Sequence, residues 1–144
     1  MQKNYLVLRG VTWFISVFHV IFGIVLNSSP KTIVWFVSNV LGATKMPESS
    51  VLFLARALGT YMIAFGIGMG IAAWNPIKNR ALLTVGAILV GLRAIQRIIQ
   101  AADLEQMLGI SSGKNLLTIG ILFVLAAILI YFRMKLYQDM KNAA

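Results

Sequence analysis

Four apolar runs, each suited to crossing a hydrocarbon layer as a helix, decide what this chain can fold into. A layer of about 30 Å takes about 20 helical residues. Tyr5 to Leu26, Val51 to Trp74, Ala81 to Ala102 and Leu116 to Phe132 reach or approach that length, and none contains Asp or Glu. With 59% of residues hydrophobic and 12% charged, the chain cannot dress such runs in a water-soluble surface. The expected fold is all-α: an integral membrane four-helix bundle forming one domain over the 144 residues.

The net charge of +9 would point to nucleic acid in a soluble protein, but its distribution reads as topology. Four spans put the N-terminus, the Asn75 to Arg80 turn and the C-terminal tail on one side. That side carries Lys3, Arg9, Lys78, Arg80, Arg133, Lys135 and Lys141 against Asp139. Across the membrane, Lys31, Lys45 and Lys114 are balanced by Glu48, Asp103 and Glu105. The positive-inside rule then makes both termini cytoplasmic, with Tyr5, Trp74, Tyr131 and Tyr137 at the inner interface. Nucleic acid is not an expected partner. The first run resembles a secretory signal at its start, but it is long and no A-x-A site follows, so it is expected to be retained as a span.

The first outer loop, Asn27 to Ser50, has signals of its own. Ser29 can cap a helix, Pro30 suits its first position and Gly42 can end it. The apolar stretch between them is too short to span. A short interfacial or re-entrant helix over about residues 30–41 is expected, with Pro47 marking the start of the second span.

Helical spacing assigns the inward faces. Arg9, Thr12, Ser16, His19, Gly23 and Asn27 form one stripe on the first span. On the second, Arg56, Gly59, Ile63, Gly66 and Gly70 recur likewise, and Gly66 with Gly70 makes a GxxxG that permits close backbone approach. Gly86, Arg93, Gln96, Arg97 and Gln100 share a face of the third. The fourth offers Thr118, Gly120, Ala126 and Ala127 and reads as scaffold. An arginine near the bilayer centre costs about 2.5–3.5 kcal/mol on insertion scales and usually faces a bundle interior, cavity or partner. Arg93, roughly 15 Å below Asp103 at 1.5 Å per residue, is therefore the strongest sign of a site. If the stripes converge, His19, Asn27, Arg56, Arg93, Gln96, Arg97 and Gln100 line a basic outer-leaflet pocket beneath the first loop. The plainer alternatives stand beside this: Arg56 and Arg97 can snorkel or pair with Glu48, Asp103 or Glu105, and His19 can serve an interhelical hydrogen bond.

Catalysis finds little support. One histidine, no cysteine and no intramembrane carboxylate leave no nucleophile–base pair, no metal cluster and no thiol chemistry. Gly66 to Gly70 lies inside a span rather than at a strand-to-helix turn, so it is no phosphate loop. Guanidiniums and amides can instead bind an anion or polarise a carbonyl. The ligands this chemistry suits are a lipid phosphate, a quinone headgroup, a small anion or an acidic segment of a partner.

Arg9-Gly10 at the first span, Arg56-Ala57-Leu58-Gly59 at the second with Gly66 beyond, the Asn75-Pro76 link and arginine in the third span together resemble the DoxX-like superfamily of small four-helix membrane proteins. The resemblance covers nearly the whole chain. It implies the fold, and either association with quinone-linked oxidation complexes or an accessory or assembly role. It implies no catalytic residues at these positions. The expectation is a non-catalytic accessory subunit of a cytoplasmic (inner) membrane, in contact with lipids and with other membrane chains or a second copy. It has no intrinsic cofactor, and its pocket takes a lipid or quinone headgroup or an acidic partner segment. A small-anion carrier or channel is the alternative, and the membrane component of a quinone-linked oxidoreductase the third reading.

Overall fold

The structure is a computed structural model that describes residues 5–45 and 49–142, with side chains from residue 52 onward in the second stretch. Lys3, Pro47 and Glu48, used above for topology, span start and rim pairing, lie outside those residues. Among the described residues six helices are formed: α1 (Leu6–Leu26), α2 (Pro30–Asn39), α3 (Ser49–Trp74), α4 (Arg80–Ile99), α5 (Ala101–Leu108) and α6 (Ser112–Lys141). Among them α1, α3, α4 and α6 are long and apolar enough to cross a membrane. The chain is an all-α, multi-pass membrane bundle. Its lipid-facing surface is built from side chains such as Trp13, Phe14, Ile21, Phe53, Ile88, Leu117 and Val124, all exposed on the isolated chain. An apolar surface of that extent belongs in hydrocarbon, where helices alone keep every backbone group bonded.

Two spans differ in extent from the hydropathy reading. The third apolar run does not continue to Ala102 as one helix. Gln100 leaves helical geometry (φ −96°, ψ 18°), and α5 follows until Gly109 closes it in the left-handed region at φ 65°. The fourth helix starts at Ser112 and runs to Lys141, because a helix does not stop where its apolar stretch stops. Thirty residues make a rod of about 45 Å, so its last turns project beyond the hydrocarbon.

The loop helix α2 has the local chemistry its sequence implies. Ser29 Oγ accepts from Thr32 N–H at 3.3 Å, Pro30 occupies the first turn, and Ile33, Phe36 and Val37 are buried while Trp35 is exposed. Gly42, at φ 72°, turns the chain three residues after the helix ends. Thr44 and Lys45 then donate their backbone N–H groups to the Leu108 carbonyl, at 2.9 and 3.2 Å. The first loop and α5 thus close the same end of the bundle, opposite the termini.

Packing pairs α1 with α3 and α4 with α6, while α3 touches α4, and α1 touches α6, far less. Glycine sets the first pair. A Cβ added to Gly23 would stand 2.6 Å from the Gly59 carbonyl oxygen, and one added to Gly66 would stand 2.9 Å from that of Ser16. The two backbones therefore approach closely at these glycines, and Ser16 Oγ donates to the Gly66 carbonyl at 2.7 Å. The core has two parts. One, at the terminal end, gathers Leu8, Ile15, Met69, Leu83, Leu129 and Leu136. The other, at the capped end, gathers Phe22, Leu26, Ile33, Phe36, Met62 and Ile110.

Candidate functional site

Between those two core clusters lies a cavity of about 640 Å³. All four spans contribute to it: His19 from α1, Tyr61, Met62 and Phe65 from α3, Leu89, Val90, Leu92, Arg93 and Gln96 from α4, and Leu122 from α6. Met62 and Val90 are buried, whereas Tyr61, Leu89 and Leu92 are 75, 45 and 55% exposed. The mouth therefore lies on the flank, along the thinly packed seam between α3 and α4. It does not open upward beneath the first loop, where α2 and the capped-end cluster close the bundle.

Arg93 is half-buried in this wall and has neither a hydrogen-bond nor an ion-pair partner among the described residues. Among the described residues no side-chain nitrogen or oxygen is both sealed from solvent and unbonded, so its unpaired guanidinium nitrogens reach open space. His19 is held differently. Its Nδ1 lies 2.7 Å from the Ile15 carbonyl oxygen, and the ring stands edge-on to Phe65 and Phe18 at centroid distances of 4.8 and 5.5 Å. A carbonyl can only accept, so Nδ1 carries the proton and Nε2 is left to bond whatever fills the cavity. With Arg93, the Gln96 amide and the Tyr61 hydroxyl as donors and His19 Nε2 as an acceptor, the wall sets a few directed polar groups among apolar side chains. That mixture suits an amphiphile.

The other residues singled out from sequence stand apart from the cavity lining. Arg97, one turn beyond Arg93, donates from Nη1 to Asn115 Oδ1 at 2.8 Å, and Asn115 Nδ2 donates back to the Arg97 carbonyl at 3.2 Å. This reciprocal pair ties α4 to α6. Asn27 donates to the Gly23 carbonyl at 2.9 Å and accepts from Thr60 at 3.4 Å. Arg56 and Gln100 are exposed. Gly59 and Gly66 face α1 at backbone contact, and a Cβ on Gly70 would meet Ser16 Oγ at 3.0 Å. The α3 side of the cavity was not legible in the small-residue stripe, because that stripe faces α1. Tyr61 was the available signal, a phenol near the middle of a span rather than at its end.

Below the cavity the polar groups are spent. Thr12 Oγ1 donates to the Leu8 carbonyl at 2.7 Å, Ser16 is bonded to Gly66, and the terminal-end cluster fills the rest. Nearer the termini, Arg9 Nε donates to the Ala73 carbonyl at 3.1 Å, a cation on the carbonyl end of α3. The Tyr5 hydroxyl donates to the Asp139 carboxylate, and burial, with that carboxylate beside it, pushes the phenol up to about 12. Among the described residues no group of three or more His, Cys, Asp or Glu is placed to hold a metal ion.

Comparison with protein family models, with curated proteins and with solved structures gives no match. The fold and the cavity define a multi-pass membrane protein with a mostly apolar recess between its spans, into which an arginine is set.

Proposed function

We propose that this chain is a non-catalytic accessory or assembly subunit whose intramembrane cavity holds the headgroup of a membrane amphiphile, a lipid or a quinone. One observation carries the proposal: Arg93, without a hydrogen-bond or ion-pair partner among the described residues, presents its guanidinium to a recess that is otherwise mostly apolar. A charge at that depth costs free energy unless something meets it, and a headgroup supplies the acceptors while its tail lies along Leu89, Leu92 and Leu122. We further propose a DoxX-like family assignment on the short motifs named above, and a cytoplasmic (inner) membrane with both termini inside on the lysine and arginine asymmetry. The packed terminal half favours binding over conduction, since a carrier needs a polar route onward and the hydroxyls there are already bonded to backbone carbonyls.

Native mass spectrometry of the gently extracted protein tests this directly. The wild type is expected to retain an amphiphile that Arg93→Gln loses while still inserting normally. Equal retention by both proteins removes Arg93 from the site. Co-extraction of another membrane chain with the wild type supports the subunit role.

A further inference from the structure

We infer that the cavity is loaded sideways from the bilayer and selects an amphiphile whose head is a small anion, a phosphate or a carboxylate, seated on Arg93. The inference rests on the amphiphile reading above and adds a charge and a route. The charge follows from the lining, which holds a guanidinium, an imidazole, an amide and a phenol but no carboxylate. The next cation, Arg97, is one turn away and is bonded to a neutral amide. A neutral carbonyl head would accept hydrogen bonds yet leave the positive charge standing in a low dielectric. An anionic oxygen head removes that charge and gains charge-assisted hydrogen bonds, the stronger kind.

The route follows from what is closed. The capped end is plugged by Phe22, Leu26, Phe36 and Ile110, and the terminal end by Leu8, Ile15, Met69 and Leu83. The flank bears the exposed rim of Tyr61, Leu89 and Leu92, at the level of the acyl chains. Depth restricts the head as well. Arg93 lies about 9 Å below the last residue of α4 at 1.5 Å per residue, so a head seated there is drawn beneath the plane of its neighbours. A compact anion tolerates that better than a choline or a sugar, which would bring extra polar groups without partners.

The test uses the full chain in phosphatidylcholine nanodiscs containing phosphatidic acid, oleic acid or an isoprenoid benzoquinone, with retention read by native mass spectrometry. Phosphatidic acid or oleic acid should be enriched about tenfold or more over phosphatidylcholine and quinone, and Arg93→Gln should erase the enrichment while Arg93→Lys keeps part of it. Which of the two acids is retained separates phosphate from carboxylate. Leu89→Trp, which narrows the mouth and leaves the charges alone, should also lower retention, so a poorly folding Arg93→Gln does not block the test. Quinone retained in preference to both acids overturns the anion while leaving the amphiphile cavity standing. No probe retained above phosphatidylcholine, with no effect of either variant, overturns both. For the route, Leu92→Cys gives this cysteine-free chain a single thiol. Labelling by a bilayer-soluble maleimide and protection from a water-confined one is expected, and the reverse overturns sideways loading.

Discussion

Two arginines one turn apart behave as different residues because their neighbours differ. Arg97 has the buried Asn115, which accepts from its guanidinium and donates to its own carbonyl. Arg93 has a recess. Removing Asn115 should therefore matter to stability rather than to ligand retention: Asn115→Leu strands a guanidinium and should cost about 1–2 kcal/mol, near the top of measured intramembrane hydrogen-bond values. A lowered melting temperature in detergent with retention intact is the expected result, and an unchanged melting temperature would show that Arg97 finds a substitute partner. The sequence exposed Arg93 because charge inside an apolar run is expensive and therefore conspicuous. It could not tell the two arginines apart. Asn115 lies just outside the fourth apolar run, and the face α6 turns to α4 is fixed by packing across the bundle, which local spacing does not encode.

At the scale of elements, glycine position separates contact from exposure. Gly23 sits where a Cβ would strike the backbone of α3, whereas Gly120 has open space around it. The same substitution should act with opposite sign at the two sites. Gly23→Ala should destabilise by about 1–3 kcal/mol through overpacking. Gly120→Ala should be neutral or stabilise by up to about 1 kcal/mol, since alanine lowers the entropy lost in a helix interior. Melting temperatures of the pair check this, and equal shifts would contradict the α1–α3 packing. The four spans and the loop helix were readable because length, hydropathy and the Ser29-Pro30 start are local properties. The break at Gln100 was not, since Ala101 and Ala102 continue the apolar character across it and no glycine or proline marks it. The continuation of α6 to Lys141 escaped for the opposite reason: hydropathy falls there while helical geometry persists, with Leu136 still buried.

For the whole molecule, the seam between the α1–α3 pair and the α4–α6 pair is fastened at its two ends and open in its middle. At the capped end the fastening is the Thr44 and Lys45 backbone on Leu108; at the other end it is Tyr5 on Asp139. The latter makes stability depend on pH. Because the Tyr5 phenol is raised from 10 to about 12 in the fold, the folded state favours its protonated form. That contribution is complete below pH 10 and is lost as pH climbs through the folded value. Melting temperature should fall between pH 10 and 12 in the wild type by more than in Tyr5→Phe, and parallel profiles would remove the link. Each pair is also continuous in the chain: α1 to α3 is finished before the Asn75 turn is made, and α4 to α6 comes entirely after it. During synthesis the first pair can therefore close on its glycines while the second is still being extended. The recess takes walls from both pairs, so neither hairpin carries it alone and it comes into existence only when the two dock.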